Sequence, residues 1–123
     1  MEITKSENLF IINALNRREG SVTALISINK QSHIFKGHFR GQPVVPGACM
    51  LQLIRDVLEK ALEKPLQLKR AASIKFLSMI DPYVTNEVQL DILYKVGDDS
   101  SLAVAAKLAA GDVICLKFQG CFE

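Results

Sequence analysis

Hydrophobic periodicity in this 123-residue chain describes an α+β domain, an antiparallel β-sheet wrapped around one long central helix. Apolar residues alternate at Val22, Ala24, Ile26 and Ile28, and again at Val88, Leu90, Ile92, Tyr94 and Val96, the period of half-buried strands. Between them, from Ala48 to Lys64, the spacing changes to three and four residues, the period of an amphipathic helix. The segments after the helix are joined largely by short turns, which makes neighbouring strands antiparallel. One helix on one sheet face is a two-layer arrangement. A chain of this length buries one core and not two, so a single domain over residues 1–123 is expected.

Each element follows from local chemistry. Residues 9–15 are a short apolar run read as the first strand, and Arg17-Arg18-Glu19-Gly20 as the turn after it. Val22 to Asn29 forms the second strand. Two glycines and two prolines within 37–47 forbid a regular element there. In the helix, Met50, Leu51, Ile54, Val57, Leu58, Ala61 and Leu62 share one face, and Arg55, Asp56, Glu59, Lys60, Glu63 and Lys64 fill the other. Its first turn, Ala48-Cys49-Met50-Leu51, is apolar almost all round and is expected to be deeply buried. Pro65 is expected to stop the helix. Strands are then expected over 68–78, 88–96, 102–109 and 113–122, with turns at Gly97-Asp98-Asp99-Ser100 and Ala110-Gly111-Asp112. One such sheet leaves its edges unpaired and the helix start partly uncovered. Pairing with a second copy would cover both, so a dimer is expected.

Composition narrows the function. The net charge of +2 is too weak to argue for nucleic acid, and no basic run has interleaved aromatics. The start, Met1-Glu2-Ile3-Thr4-Lys5, does not read as a signal peptide. No apolar run approaches membrane-spanning length, so a cytoplasmic protein without a membrane partner is expected. Cys49, Cys115 and Cys121 are an odd number without a C-x-x-C spacing, and they read as reduced core thiols. Zinc takes about four ligands, and two histidines far from these cysteines suggest neither a metal nor another cofactor.

The run Gly37-His38-Phe39-Arg40-Gly41-Gln42-Pro43-Val44-Val45-Pro46-Gly47 has the layout of a site. Pro43 and Pro46 fix φ and bias the residues before them toward extended backbone, so the segment is stiff. Gly47 lets a ligand approach its N–H closely. That N–H opens the helix, where backbone donors are unpaired and the dipole is positive. An oxyanion held there gains about 3 kcal/mol per donor in a transition state. His38 is the nearby side chain whose ordinary pKa suits general-base work near neutral pH. A base facing an oxyanion donor is what proton abstraction beside a thioester carbonyl requires. The apolar helix start offers a wall for an acyl chain.

His38-Phe39 followed by Pro43-Val44-Val45-Pro46-Gly47 resembles the H-F-P-G-x-P-x-x-P-G signature of the hotdog-fold 3-hydroxyacyl-acyl-carrier-protein dehydratases of type II fatty-acid synthesis. Ala72-Ser73-Ile74-Lys75-Phe76-Leu77 with Ile80-Asp81-Pro82 is similar to a second family segment, roughly A-R-F-x-x-P-V-x-P-G-D. The resemblance covers the chain from about Val22 onward. It implies a hotdog fold, a fatty-acyl thioester substrate on acyl carrier protein or coenzyme A, and no cofactor. It implies His38 as the base that removes the α-proton and the Gly47 N–H as the donor that polarises the carbonyl. Phe39, Pro46, Ala48, Met50, Leu51 and Phe76 are the expected acyl contacts. Lys36, Arg40, Lys69, Arg70 and Lys75 are the expected basic rim that steers an acidic carrier protein.

Three positions depart from the pattern. Arg40 replaces the proline after His-Phe, and Asp81-Pro82-Tyr83 lacks the Pro-Gly-Asp ending. The family's catalytic Glu or Asp on the central helix, which reaches the histidine across a dimer interface, corresponds here to Gln52. A carboxylic acid donates a proton and carries the charge afterwards; an amide orients a hydroxyl but exchanges no proton at useful pH. Asp56, one turn on and about 6 Å away by helical rise, reads as a solvated charge paired with Lys60. Glu59 faces elsewhere, His33 reads as surface, Cys49 as a core thiol and Tyr83 as packing.

Three functions remain open on these residues. The first is a dehydratase-like enzyme in which His38 and Gly47 act while Gln52 positions a hydroxyl or water. The second is a degenerate subunit that pairs with an active dehydratase partner. The third is an acyl thioesterase, which usually needs a carboxylate that Gln52 does not supply. The expected assembly is a homodimer, an oligomer of dimers, or a heterodimer with another hotdog chain.

Overall fold

The protein, seen in a computed structural model, is described over residues 9–32 and 44–123. The element order is β1 (Phe10–Arg18), β2 (Ser21–Ile28), α1 (Gly47–Leu62), β3 (Leu68–Phe76), β4 (Glu87–Val96), β5 (Leu102–Ala110) and β6 (Val113–Phe122). The six strands form one antiparallel sheet in the order β1-β2-β4-β5-β6-β3. The expected sequence of two strands, one helix and four strands is therefore present.

Alternation decides which side of the sheet is dry. Val22, Ala24, Ile26 and Ile28 of β2 are buried, as are Val88, Leu90 and Ile92 of β4 and Leu102, Val104, Ala106 and Leu108 of β5. They share one apolar core with Met50, Leu53, Ile54, Val57, Leu58 and Ala61 of the helix. Leu53, fully buried at the centre of the helix, belongs to that face and is missing from the apolar stripe read in the sequence.

Several boundaries differ from expectation. Arg17 and Arg18 lie in β1 rather than in a turn, and the reversal is confined to Glu19 and Gly20, the latter at φ 78°. The guanidinium of Arg17 thereby reaches the helix and donates to the Ala61 carbonyl at 3.0 Å. This satisfies an orphan acceptor at the negative end of the helix dipole. The helix ends before Pro65. Glu63 adopts a left-handed conformation, φ 55°, and its N–H closes onto the Glu59 carbonyl. The Glu59 carboxylate accepts the Leu66 N–H at 2.8 Å, so it anchors the exit from the helix.

The first helical turn is not deeply buried. Ala48 is exposed, Cys49 and Leu51 are half-buried, and Met50 alone is in the core. The reason is the position of β3. Among the described residues it is an edge strand, paired only with β6, and nearly all its residues are exposed. Gly120 of β6 lets the two strands approach closely. A Cβ there would stand 2.5 Å from the Arg70 carbonyl oxygen and 2.6 Å from the Phe118 ring. Backbone and core cannot both yield, so Gly120→Ala is expected to cost about 1–3 kcal/mol, as overpacking does. Urea denaturation read by circular dichroism checks the value.

Candidate active site

Pro46 caps the helix start in extended conformation, φ −64° and ψ 143°, with φ fixed by its ring. The chain enters along Val45, whose N–H donates to the Ile80 carbonyl at 2.9 Å and whose side chain is buried. This bond ties the helix entry to the segment that follows β3. The amides of Cys49 and Met50 turn back onto the Pro46 carbonyl at 3.1 and 3.3 Å. Among the described residues, the amides of Gly47 and Ala48 have no acceptor. The first turn carries no acidic side chain to compete for them.

Phe76, the last residue of β3, closes over this helix start. Its ring would stand 2.6 Å from a Cβ on residue 47, so a larger residue there would have to displace the ring. The ring is still 55% exposed. Both residues were expected at the site, and the structure brings them together.

Gln52 is half-buried one turn further along the helix. With Ala48 and Leu51 it lines a cleft of about 320 Å³ between α1 and the β3–β6 edge, closed behind by Leu68, Phe118 and Phe122. Its Nε2 donates to Oδ1 of Asp56 at 3.3 Å. Among the described residues no donor reaches its carbonyl oxygen. Asp56 is engaged with Gln52.

Arg55 also lines this cleft, a residue the sequence assigned to the solvent side. It lies three positions after Gln52, a spacing that keeps two residues on one helix face. Its Nε sits 3.5 Å from the Glu59 carboxylate. Met50 is packed into the core and takes no part in the cleft wall. Cys49 is half-buried, and burial pushes its thiol up from the ordinary value, which keeps it protonated at neutral pH. Tyr83 does not pack as expected. It stands 64% exposed in a turn, with the Lys30 ammonium 5.9 Å from its ring centre.

The expected basic rim divides. Lys69 is tied to the Glu123 carboxylate at 2.7 Å, and that bond holds its ammonium above the usual range. Arg70 and Lys75 are exposed on β3. His38, Phe39, Lys36, Arg40 and His33 lie outside the described residues. Among the described residues no group of three or more histidine, cysteine or carboxylate side chains is placed to hold a metal. No helix among them is long and apolar enough to cross a membrane.

The chain matches the family model described as ApeI-like, ApeI dehydratase, over residues 14–113. No curated protein matches it. Its fold is similar to that of the dehydratase heterocomplex ApeI:P from Xenorhabdus doucetiae, with a TM-score of 0.73, 17% identity and 91% of this chain and 96% of that chain covered. It is also similar to a conserved protein from Pseudomonas aeruginosa, with a TM-score of 0.66, 18% identity and coverage of 95% and 90%. An uncharacterized protein from Erwinia carotovora subsp. atroseptica has a TM-score of 0.63, 21% identity and coverage of 92% and 90%. The six-stranded antiparallel sheet with one helix is the hotdog fold of these neighbours.

Proposed function

Because the chain belongs to the ApeI-like dehydratase family, we propose that it is a dehydratase subunit that takes a 3-hydroxyacyl thioester from an acyl carrier protein and completes its site with a second hotdog chain. The observation that carries this reading is the placement of Gln52. It occupies the acid's expected position, in a cleft beside the helix start, and its amide is tied to Asp56.

The chemistry shows what is missing. His38 would take the α-proton while the Gly47 N–H stabilises the developing enolate oxygen. The electron pair of the broken C–H bond then forms the C=C bond, and the C–O bond to the hydroxyl breaks. The departing hydroxide needs a proton, which a neutral amide does not supply. A carboxyl from another chain would provide it, close to His38 across the interface. The exposed edge strand β3, with Leu68, Ile74 and Phe76 partly bare, is where a second sheet would add. The likeness to a heterocomplex supports such a pairing. Ala48, Leu51 and Phe76 are suited to contact the acyl chain, with Pro46 at the helix start and Met50 supporting from the core.

A second reading, a self-sufficient homodimer, rests on the Gln52–Asp56 contact, which fixes the amide oxygen to orient the hydroxyl or a water. Hydration of a short trans-2-enoyl thioester separates the two. The purified chain alone is expected to be inert, and activity is expected when a hotdog partner bearing the carboxyl is co-purified. In that complex His38→Ala is expected to lower the rate by about 10²–10⁴. Turnover by the unaltered chain alone, lost in His38→Ala, would establish the homodimer instead.

A further inference from the structure

The register of the sheet places one row of side chains across all six strands: Asn16, Thr23, Asp91, Lys107, Lys117 and Lys75. The neighbours of the lysines along their strands, Ala106, Leu108, Leu116 and Phe118, are buried. Phe76, next to Lys75, lies against Gly47 on the helix side. The row therefore stands on the outer face, away from the helix. Its one carboxylate, Asp91, accepts hydrogen bonds from Thr23 at 3.2 Å and Gln89 at 3.1 Å. Among the described residues none of the three lysines forms an ion pair.

Three like charges directly opposite one another on adjacent strands weaken a sheet. Strands stand about 4.8 Å apart, so Lys75 and Lys107 are only about 10 Å apart, within a Debye length at physiological salt. The fold gains nothing from this arrangement, and a ligand with a matching line of negative charge would. The row also has a direction, because its Lys75 end adjoins Phe76 at the mouth of the candidate site.

We propose that Lys75, Lys117 and Lys107 form the docking surface for an acidic helix of the protein that delivers the thioester. The inference rests on the carrier-delivered reading above and deepens it. Carboxylates three or four residues apart on a helix repeat about every 5.4 Å, close to the strand spacing of the lysines. A helix lying along the row therefore meets each lysine with one turn. Nucleic acid fits less well, since no aromatic side chain stands in the row for bases to stack on. Three lysines on a flat face without an inserting apolar side chain among them are weak for a lipid surface.

The test uses Lys107→Glu/Lys117→Glu, with Lys60→Glu/Lys64→Glu on the helix as a control of equal charge change. The probe is a purified acyl carrier protein loaded with a 3-hydroxyacyl group, titrated calorimetrically at 50 and 200 mM salt. The N-acetylcysteamine thioester of the same acyl group, which has no carrier to dock, is titrated beside it. The outer-face variant is expected to bind the carrier about tenfold or more weakly and with reduced salt dependence, and to bind the small thioester unchanged. Carrier affinity equal to the unaltered protein, or an equal loss in the helix control, would overturn the proposal. So would a loss confined to phosphatidylglycerol vesicles or duplex DNA. If the unaltered protein binds neither thioester, the functional reading fails by itself, and it is thereby told apart from a misplaced docking surface.

Discussion

Gln52→Glu is expected to give the purified chain, inert when unaltered, dehydration at least about a hundredfold above its background, the usual worth of a positioned general acid. The side chain lines the cleft and already contacts Asp56 at 3.3 Å. A carboxyl introduced there would lie against a second carboxylate. Two carboxylates sharing one site cannot both ionise easily, so the pair holds a proton above the ordinary range. That is the condition a catalytic acid needs near neutral pH. The sign of the pH dependence follows. The protonated form is the active one, so the variant's rate falls as pH rises through the raised pKa, while protonation of His38 limits it on the acid side. A bell-shaped profile of kcat against pH, measured with a 3-hydroxyacyl thioester, is the expected result. A variant as inert as the unaltered chain, though folded and thioester-binding, would show that position 52 is not where the acid belongs.

How far the sequence carries depends on whether the signal is local. The helix was legible because its apolar spacing persists over four turns, and the strands because Val22 to Ile28 and Val88 to Val96 alternate cleanly. The pairing of Gly47 with the helix start was legible because proline restricts its own backbone and the residue before it. The helix end was misread: Pro65 suggested the stop, whereas Glu63 in a left-handed turn and the Glu59 carboxylate make it. The burial of the first turn was overestimated because a fully apolar turn does not reveal whether its cover belongs to the same chain. The lysine row was invisible, since Lys75, Lys107 and Lys117 become neighbours only through strand register. Arg55 was assigned to solvent for a similar reason: the β3–β6 edge that makes the cleft lies far from it in sequence.

Ile74→Lys is expected to separate the proposed assembly into protomers while each protomer stays folded. Ile74 lies on β3 opposite Phe118 of β6, on the helix side of the sheet, and is 38% exposed in the isolated chain. In the protomer an introduced lysine can carry its ammonium to water along its flexible stem, so the cost is small. If a second sheet adds along β3, the same ammonium is enclosed without a partner, and an uncompensated buried charge costs about 3–5 kcal/mol. That corresponds to a loss of roughly a hundredfold or more in association. Sedimentation velocity across a concentration series reads the assembly, and circular dichroism reads the fold. Turnover in any active complex is expected to fall with the assembled fraction, because the proposed site draws groups from both chains. An Ile74→Lys chain that sediments as the unaltered protein does would place the interface elsewhere and remove the route by which a partner's carboxyl reaches His38.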